Sequence, residues 1–314
     1  MSWLLALIET FLFIASAPLL AGWIKWVKCH LQNRKAPSLL QPYRELAKLF
    51  RKTPVMAEHA SWIFETAPYV VFASAVLSAA IVPFIAAHMP TSAIADIIVL
   101  VGFFALGRFF LALAGMDIGT AFGGMGSSRE MTIASLAEPA MLMAVFTLAM
   151  SASTTNLSTA IDYVLDSGLV LRPSFIFALA GLLLVAVAET GRIPVDNPAT
   201  HLELTMIHEA MILEYSGKHL AFIEWASQIR LMLYGVLIAN IFVPWGIAED
   251  FSLRALGFGA LAIAGKLMVL GIILPLSETL FAKMRLFRVQ EFLGFAYLLS
   301  LLGMLSHIIL EVGS

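Results

Sequence analysis

The sequence predicts an all-α, polytopic membrane protein: about eight transmembrane helices and one cytoplasmic amphipathic helix, in a single integral membrane domain over residues 1–314. Three observations carry this. Hydrophobic residues make up 60% and charged residues 13%, with a mean hydropathy of +0.91; a soluble domain averages roughly 45–50% and about 25%. The apolar residues fall into long runs, near the ~20 residues that a helix needs to cross the hydrocarbon. Lysine and arginine concentrate in alternate connections, as the positive-inside rule requires.

The same numbers exclude other classes. A chain this apolar is not disordered. A formal charge of -2 leaves no basic field for nucleic acid. The single cysteine, Cys29, cannot build a disulfide framework or an all-cysteine iron–sulfur or zinc site.

The first run, residues 3–24, is interrupted only by Glu9. It lacks a basic leader and a small-residue cleavage site, so it reads as a retained helix. Spans two to five are expected at 68–87, 95–115, 131–150 and 173–188, and spans six to eight at 229–247, 253–276 and 292–309. Only a helix satisfies its backbone in lipid without leaving a sheet edge. The first connection carries Lys28, Arg34, Lys35, Arg44, Lys48, Arg51 and Lys52. The fifth carries Arg192, Lys218 and, at its end, Arg230, and the seventh Lys283, Arg285 and Arg288. The alternate connections carry only Arg172 and Arg254. The basic connections are therefore expected in the cytoplasm and both termini outside. No internal repeat of the kind found in many secondary transporters is visible.

Two segments are not lipid-facing. In residues 41–52, Leu46, Leu49 and Phe50 fall at helical spacing among charges, which predicts an interfacial amphipathic helix. The apolar face is narrow, so an ordinary solvated basic loop is the alternative. Residues 189–215 are the most densely charged. Asn197 followed by Pro198 predicts a capped helix start. On that helix His201 and His208 share one face, and Glu203 and Glu214 share another. Such groups among apolar neighbours can exchange protons near neutral pH; the alternative is a loop whose acids face water. No H-E-x-x-H spacing supports a metal site at His201, Glu203, His208 and Glu209. Gly123, Gly124 and Gly126 read as a flexible turn before the fourth span.

Ionisable residues at membrane depth cost roughly 2.5–3.5 kcal/mol each on insertion scales and mark ion paths or partners. Arg108, Glu138 and Lys266 are the deepest, with Glu130 and Glu189 near the cytoplasmic ends. A structural salt bridge, such as Arg108 with one of the acids, is the alternative for each.

These residues resemble a known family: the membrane subunit shared by group 4 NiFe hydrogenases and respiratory complex I (subunit 1), most closely its hydrogenase-4 and formate hydrogenlyase branch. The resemblance covers nearly the whole chain. It is carried by Asn33-Arg34-Lys35-Ala36-Pro37 with Leu40-Gln41-Pro42-Tyr43-Arg44-Glu45, and by Arg108-Phe109-Phe110 with Gly115-Met116-Asp117. Gly126-Ser127-Ser128-Arg129-Glu130 with Glu138-Pro139, the group Glu189, Arg192, Asp196, Glu203 and Glu214, and the spacing of Lys266, Glu278 and Arg285 complete it. Where family members carry further glutamates, this chain has Ala199 and His201.

The resemblance implies an anchor subunit without a redox centre in a prokaryotic cytoplasmic membrane. It implies partners: hydrogenase-like large and small subunits, iron–sulfur subunits, and antiporter-like membrane subunits, with the iron–sulfur clusters and a NiFe centre carried by these partners. Glu138, Glu189, Glu203, Glu214, Glu130 and Asp196 are then the expected proton path, with Lys266 nearby to bias the carboxylates. Arg34, Arg44, Glu45 and Arg192 are the expected docking surface for the soluble module. A complex I-like antiporter assembly without hydrogenase activity, or a quinone-reducing respiratory complex, is the alternative.

Overall fold

The computed structural model describes residues 2–167, 172–196, 206–248 and 250–311. Its elements in chain order are α1 (Ser2–Leu31), α2 (Gln41–Phe50), α3 (Trp62–Ile81), α4 (Ile97–Asp117), α5 (Ala121–Ser151), α6 (Leu157–Ser167), α7 (Pro173–Glu189), α8 (His208–Ile212), α9 (Gly217–Leu237), α10 (Leu253–Leu280) and α11 (Leu286–Ser306). Two π-helical turns extend α9 over Ile238–Phe242 and α11 over His307–Glu311. Among the described residues there are no strands, only two isolated bridges, Ala86 to Ala248 and Asp96 to Asn156. Among the described residues seven helices, α1, α3, α4, α5, α9, α10 and α11, are long and apolar enough to cross a membrane, and α7 is a shorter apolar helix of 17 residues. Eight apolar helices thus stand where eight spans were expected, and the chain is a multi-pass membrane protein.

Four helices start six or more residues before expectation, α3, α5, α9 and α11. The second span begins at Trp62, because the Ser61 hydroxyl accepts the Ile63 N–H as an N-cap. Pro68 is then inside the helix. The span stops at Ile81, where Val82 turns extended ahead of Pro83. The fourth span begins at Ala121, capped by Thr120, so Gly123, Gly124 and Gly126 are helical and form no turn. Packing explains two of these glycines. A Cβ on Gly123 would lie 2.1 Å from the Gly115 carbonyl oxygen, and one on Gly126 would lie 2.9 Å from Ala210 Cβ. The sixth span begins at Gly217, so Lys218 and Arg230 are helix residues, and Arg230 is buried rather than a loop charge.

The amphipathic helix forms over Gln41–Phe50, with Pro42 and Leu46 buried and Arg44, Glu45 and Lys48 exposed. The Tyr43 hydroxyl donates to the Ala15 carbonyl at 2.5 Å, and Phe50 meets Phe222 edge-on, so α2 is pinned to α1 and α9. α6 is a short helix that the sequence did not announce. The main core joins α3, α4, α5, α7, α9 and α11, while α10 packs chiefly on α1.

Candidate functional site

The site is assembled around one arginine. Arg108 sits midway along α4 with 3% of its surface exposed. Its Nη1 donates to Glu138 Oε1 at 2.8 Å, from α5, and its Nη2 donates to Glu189 Oε2, at the end of α7. Its Nε lies 3.5 Å from Glu130 Oε1, an ion-pair distance without hydrogen-bond alignment. Glu130 and Glu189 are buried, and the Glu138 side chain is about one-third exposed, at 33%. Three carboxylates from two helices thus share one guanidinium, whose fork of donors suits such sharing. Arg230 of α9 is buried within the electrostatic reach of Arg108, Glu189 and Glu130. Desolvated charges persist only when compensated in this way.

The cluster continues outward through α8. His208 Nδ1 lies 3.4 Å from Glu130 Oε2. The His208 backbone N–H donates to Asp196 Oδ2 at 3.4 Å, and Asp196 Oδ1 is held by Lys283 Nζ at 2.9 Å. The helix start brings this about: the close approach at Gly126 lets α8 lie against α5, one turn from Glu130. A second knot lies on α10, where buried Glu278 accepts from Lys28 Nζ at 2.5 Å and from Arg192 Nη1 at 3.3 Å. It ties α1 and the segment after α7 to α10.

The expected site residues therefore separate. Glu138, Glu189 and Glu130 converge on Arg108, and Asp196 joins them through His208. Lys266 does not: its Nζ lies 3.5 Å from the Ala239 carbonyl and from Asn240 Oδ1, on the π turn after α9. The reason is that α10 packs on α1 and touches α9 at that turn. Glu214 is exposed, because α8 ends at Ile212 and Tyr215 turns inward, stacked on Phe64 at 3.9 Å. The Tyr215 hydroxyl donates to the Phe64 carbonyl, and burial pushes its ionisation well above the ordinary range. Glu203, His201 and the Asn197 cap lie outside the described residues.

Of the expected docking residues, Arg34, Arg44 and Glu45 are exposed, whereas Arg192 is engaged by Glu278. Among the described residues no three His, Cys, Asp or Glu side chains are grouped as metal ligands. Sequence reasoning missed Arg230 and the two partners of Glu278. The deep placement of Arg230 was signalled by its immediate apolar neighbours, Ile229 and the run Leu231-Met232-Leu233. A polar cleft of about 300 Å³ between α2 and α9, lined by Glu45, Lys48, Glu224 and Gln228, was not foreseen either.

Comparison with known proteins agrees with this architecture. A family model described as NADH dehydrogenase matches residues 3–309. Formate hydrogenlyase subunit 4 of Escherichia coli (strain K12) is 31% identical over 286 residues, covering 91% of this chain and 92% of that one. Hydrogenase-4 component C of the same organism is 28% identical, over 93% of this chain and 92% of its own length. A subunit of the NADH-quinone oxidoreductase of Salinibacter ruber is 26% identical, over 76% of this chain and 67% of its own length. A chain in the solved structure of the membrane-bound sulfane sulfur reductase, an archaeal respiratory membrane complex, superimposes with a TM-score of 0.80 at 17% identity, covering 97% of this chain and 98% of that one. That likeness is one of fold.

Proposed function

The chain belongs to the NADH dehydrogenase family, and from that membership we propose a membrane anchor and proton-path subunit, without a redox centre, in a NiFe-hydrogenase or formate hydrogenlyase-like complex. At the coarser level it is a membrane subunit of the complex I-like and group 4 hydrogenase type. The hydrogenase reading is supported by reach: the two E. coli relatives match over more than nine-tenths of both chains, while the Salinibacter ruber relative matches over 67% of its own length.

The observation that carries the proton path is the shared guanidinium. Glu138, Glu189 and Glu130 compete for Arg108, and Glu130 holds it without a hydrogen bond. A carboxylate released by the arginine becomes a proton acceptor, and one recaptured gives its proton up. His208, beside Glu130 and 27% exposed, links the cluster to the protein surface. The exposed basic face around Arg34 and Arg44, with the segment after α7, is the dock for the soluble module. Iron–sulfur clusters and a NiFe centre belong to partners, namely hydrogenase-like large and small subunits and iron–sulfur subunits. Antiporter-like subunits take the proton onward. The basic connections face the cytoplasm.

Purification of the intact complex with metal analysis tests this. Nickel and iron together with antiporter-like subunits are expected. Antiporter-like partners without nickel would select the non-hydrogenase alternative, and the absence of any partner would overturn both.

A further inference from the structure

α3 ends at Ile81, two residues before Pro83. In a continuing helix the carbonyls of Ala79, Ala80 and Ile81 would accept from the N–H groups of residues 83, 84 and 85. Residue 83 is proline and has no N–H. The N–H groups of Phe84 and Ile85 donate instead to Glu9 Oε1, at 3.1 and 2.5 Å, joined by that of Ala86 at 3.2 Å. The Asn240 side-chain amide fixes the break by donating to the carbonyls of Pro83 and Phe84 at 2.9 and 3.0 Å. Three successive carbonyls at the negative end of α3 thus lose their helical donors together.

Ala79, Ala80 and Ile81 line a cavity of about 10 Å³ with Glu9 and Ser158. That is the space of one water or one small ion. Glu9 Oε2 and Ser158 Oγ are buried and have no hydrogen-bond partner among the described residues, with Glu9 8% and Ser158 4% exposed. Among the described residues no side-chain cation pairs with Glu9, and Lys266 stops at Asn240. The three N–H donors compensate one carboxylate oxygen and leave the other.

We propose that Glu9 Oε2, Ser158 Oγ and the freed carbonyls of α3 bind one monovalent cation of sodium size. The site lies at the end of the bundle opposite α2. Every ligand is an oxygen and only one is charged, which suits a hard monovalent ion and falls short of what calcium or magnesium recruits. A water would fill the space and satisfy Glu9 Oε2 but bring no positive charge to the carboxylate. Helix C-terminal carbonyls that coordinate sodium are an established solution in membranes. The site is independent of the Arg108 cluster.

Thermal unfolding of the purified complex tests the site, in sodium chloride against choline chloride at constant ionic strength and pH. A ligand that binds the folded state raises the transition saturably with its concentration. Ser158→Ala deletes one ligand, while the Ser158 backbone N–H still holds Asn156. It should raise the half-saturating sodium concentration about tenfold, the factor one such contact carries. Glu9→Gln should abolish the sodium effect. Coincident sodium and choline curves, or an unchanged half-saturation in Ser158→Ala, would mean that water or a proton occupies the cavity and would overturn the proposal. If Glu9→Gln fails to assemble, Ser158→Ala decides alone.

Discussion

Arg108 Nη1 lies 2.8 Å from Glu138 Oε1, so the deepest charge of α4 is paired with the deepest charge of α5. The same guanidinium reaches Glu189 and Glu130. Removing it strands two buried carboxylates and one that is partly buried. Breaking a buried pair from one side costs ~3–5 kcal/mol, so Arg108→Leu should abolish stable assembly. Arg108→Lys keeps the charge as a single point that cannot serve three acceptors. It should assemble at reduced yield, with a lower unfolding temperature. Yield and thermal unfolding of the purified complex check both; a fully stable Arg108→Leu complex would mean that the cluster is not held by this residue.

Glutamine in place of Glu130 and of Glu138 tests the proton path. Glutamine keeps the shape and accepts a hydrogen bond but cannot ionise. Glu130→Gln should assemble, pass electrons to an artificial acceptor and lose ion pumping. Glu138→Gln should do the same if it is a relay, and should assemble poorly with loss of both activities if it only ties α5 to Arg108. Normal pumping in both variants would remove these residues from the path.

The sequence made the helices legible because hydropathy reports burial in lipid directly: eight apolar runs became eight apolar helices. It also flagged Arg108, Glu138, Glu130 and Glu189, since a charge in an apolar run is conspicuous. It could not say which charges meet. Lys266 looked like their neighbour and is not, because its position depends on where α10 packs. Helix starts were misread where Gly or Pro has a tertiary purpose. Gly123 and Gly126 resemble a turn by composition, yet they are close-packing positions against Gly115 and Ala210. Glu9 was visible as an interruption of α1, but its three N–H donors come from a segment some 75 residues away.

Gly126 supports a sharp packing prediction. A Cβ there would meet Ala210 Cβ at 2.9 Å, the Ile207 carbonyl at 3.0 Å and Met211 Cγ at 3.1 Å. Gly126→Ala should cost ~1–3 kcal/mol through overpacking, and Gly126→Val more. Either should push α8 away and separate His208 from Glu130. Pumping should therefore fall before stability does in Gly126→Ala, as read by pumping assays beside thermal unfolding.

Topology follows from the lysine and arginine asymmetry. Single cysteines at positions 44 and 288, in a Cys29→Ser background, should be labelled only from the cytoplasmic side. Those at positions 172 and 254 should be labelled only from outside. Labelling of position 44 from outside intact cells would reverse the orientation.

Glu278 offers the clearest separation of a structural tie from a proton carrier. Its side chain is 1% exposed, whereas those of Lys28 and Arg192 are 24% and 20% exposed. Water reaches both cations but not the carboxylate, so the pairing is worth less than that of a fully buried pair. Glu278→Gln should lower stability by ~1–3 kcal/mol, through loss of charge-assisted hydrogen bonds. Lys28→Met and Arg192→Met, each leaving the other cation in place, should cost less than Glu278→Gln. The triple replacement Lys28→Met, Arg192→Met, Glu278→Leu removes the unpaired charges as well, and should recover much of the loss, as apolar substitutes for buried ion pairs do. If the knot only fastens α1 and the segment after α7 to α10, pumping should return along with stability in the triple variant. Restored unfolding temperature with pumping still absent would instead place Glu278 on the path, and would extend the route beyond the Arg108 cluster.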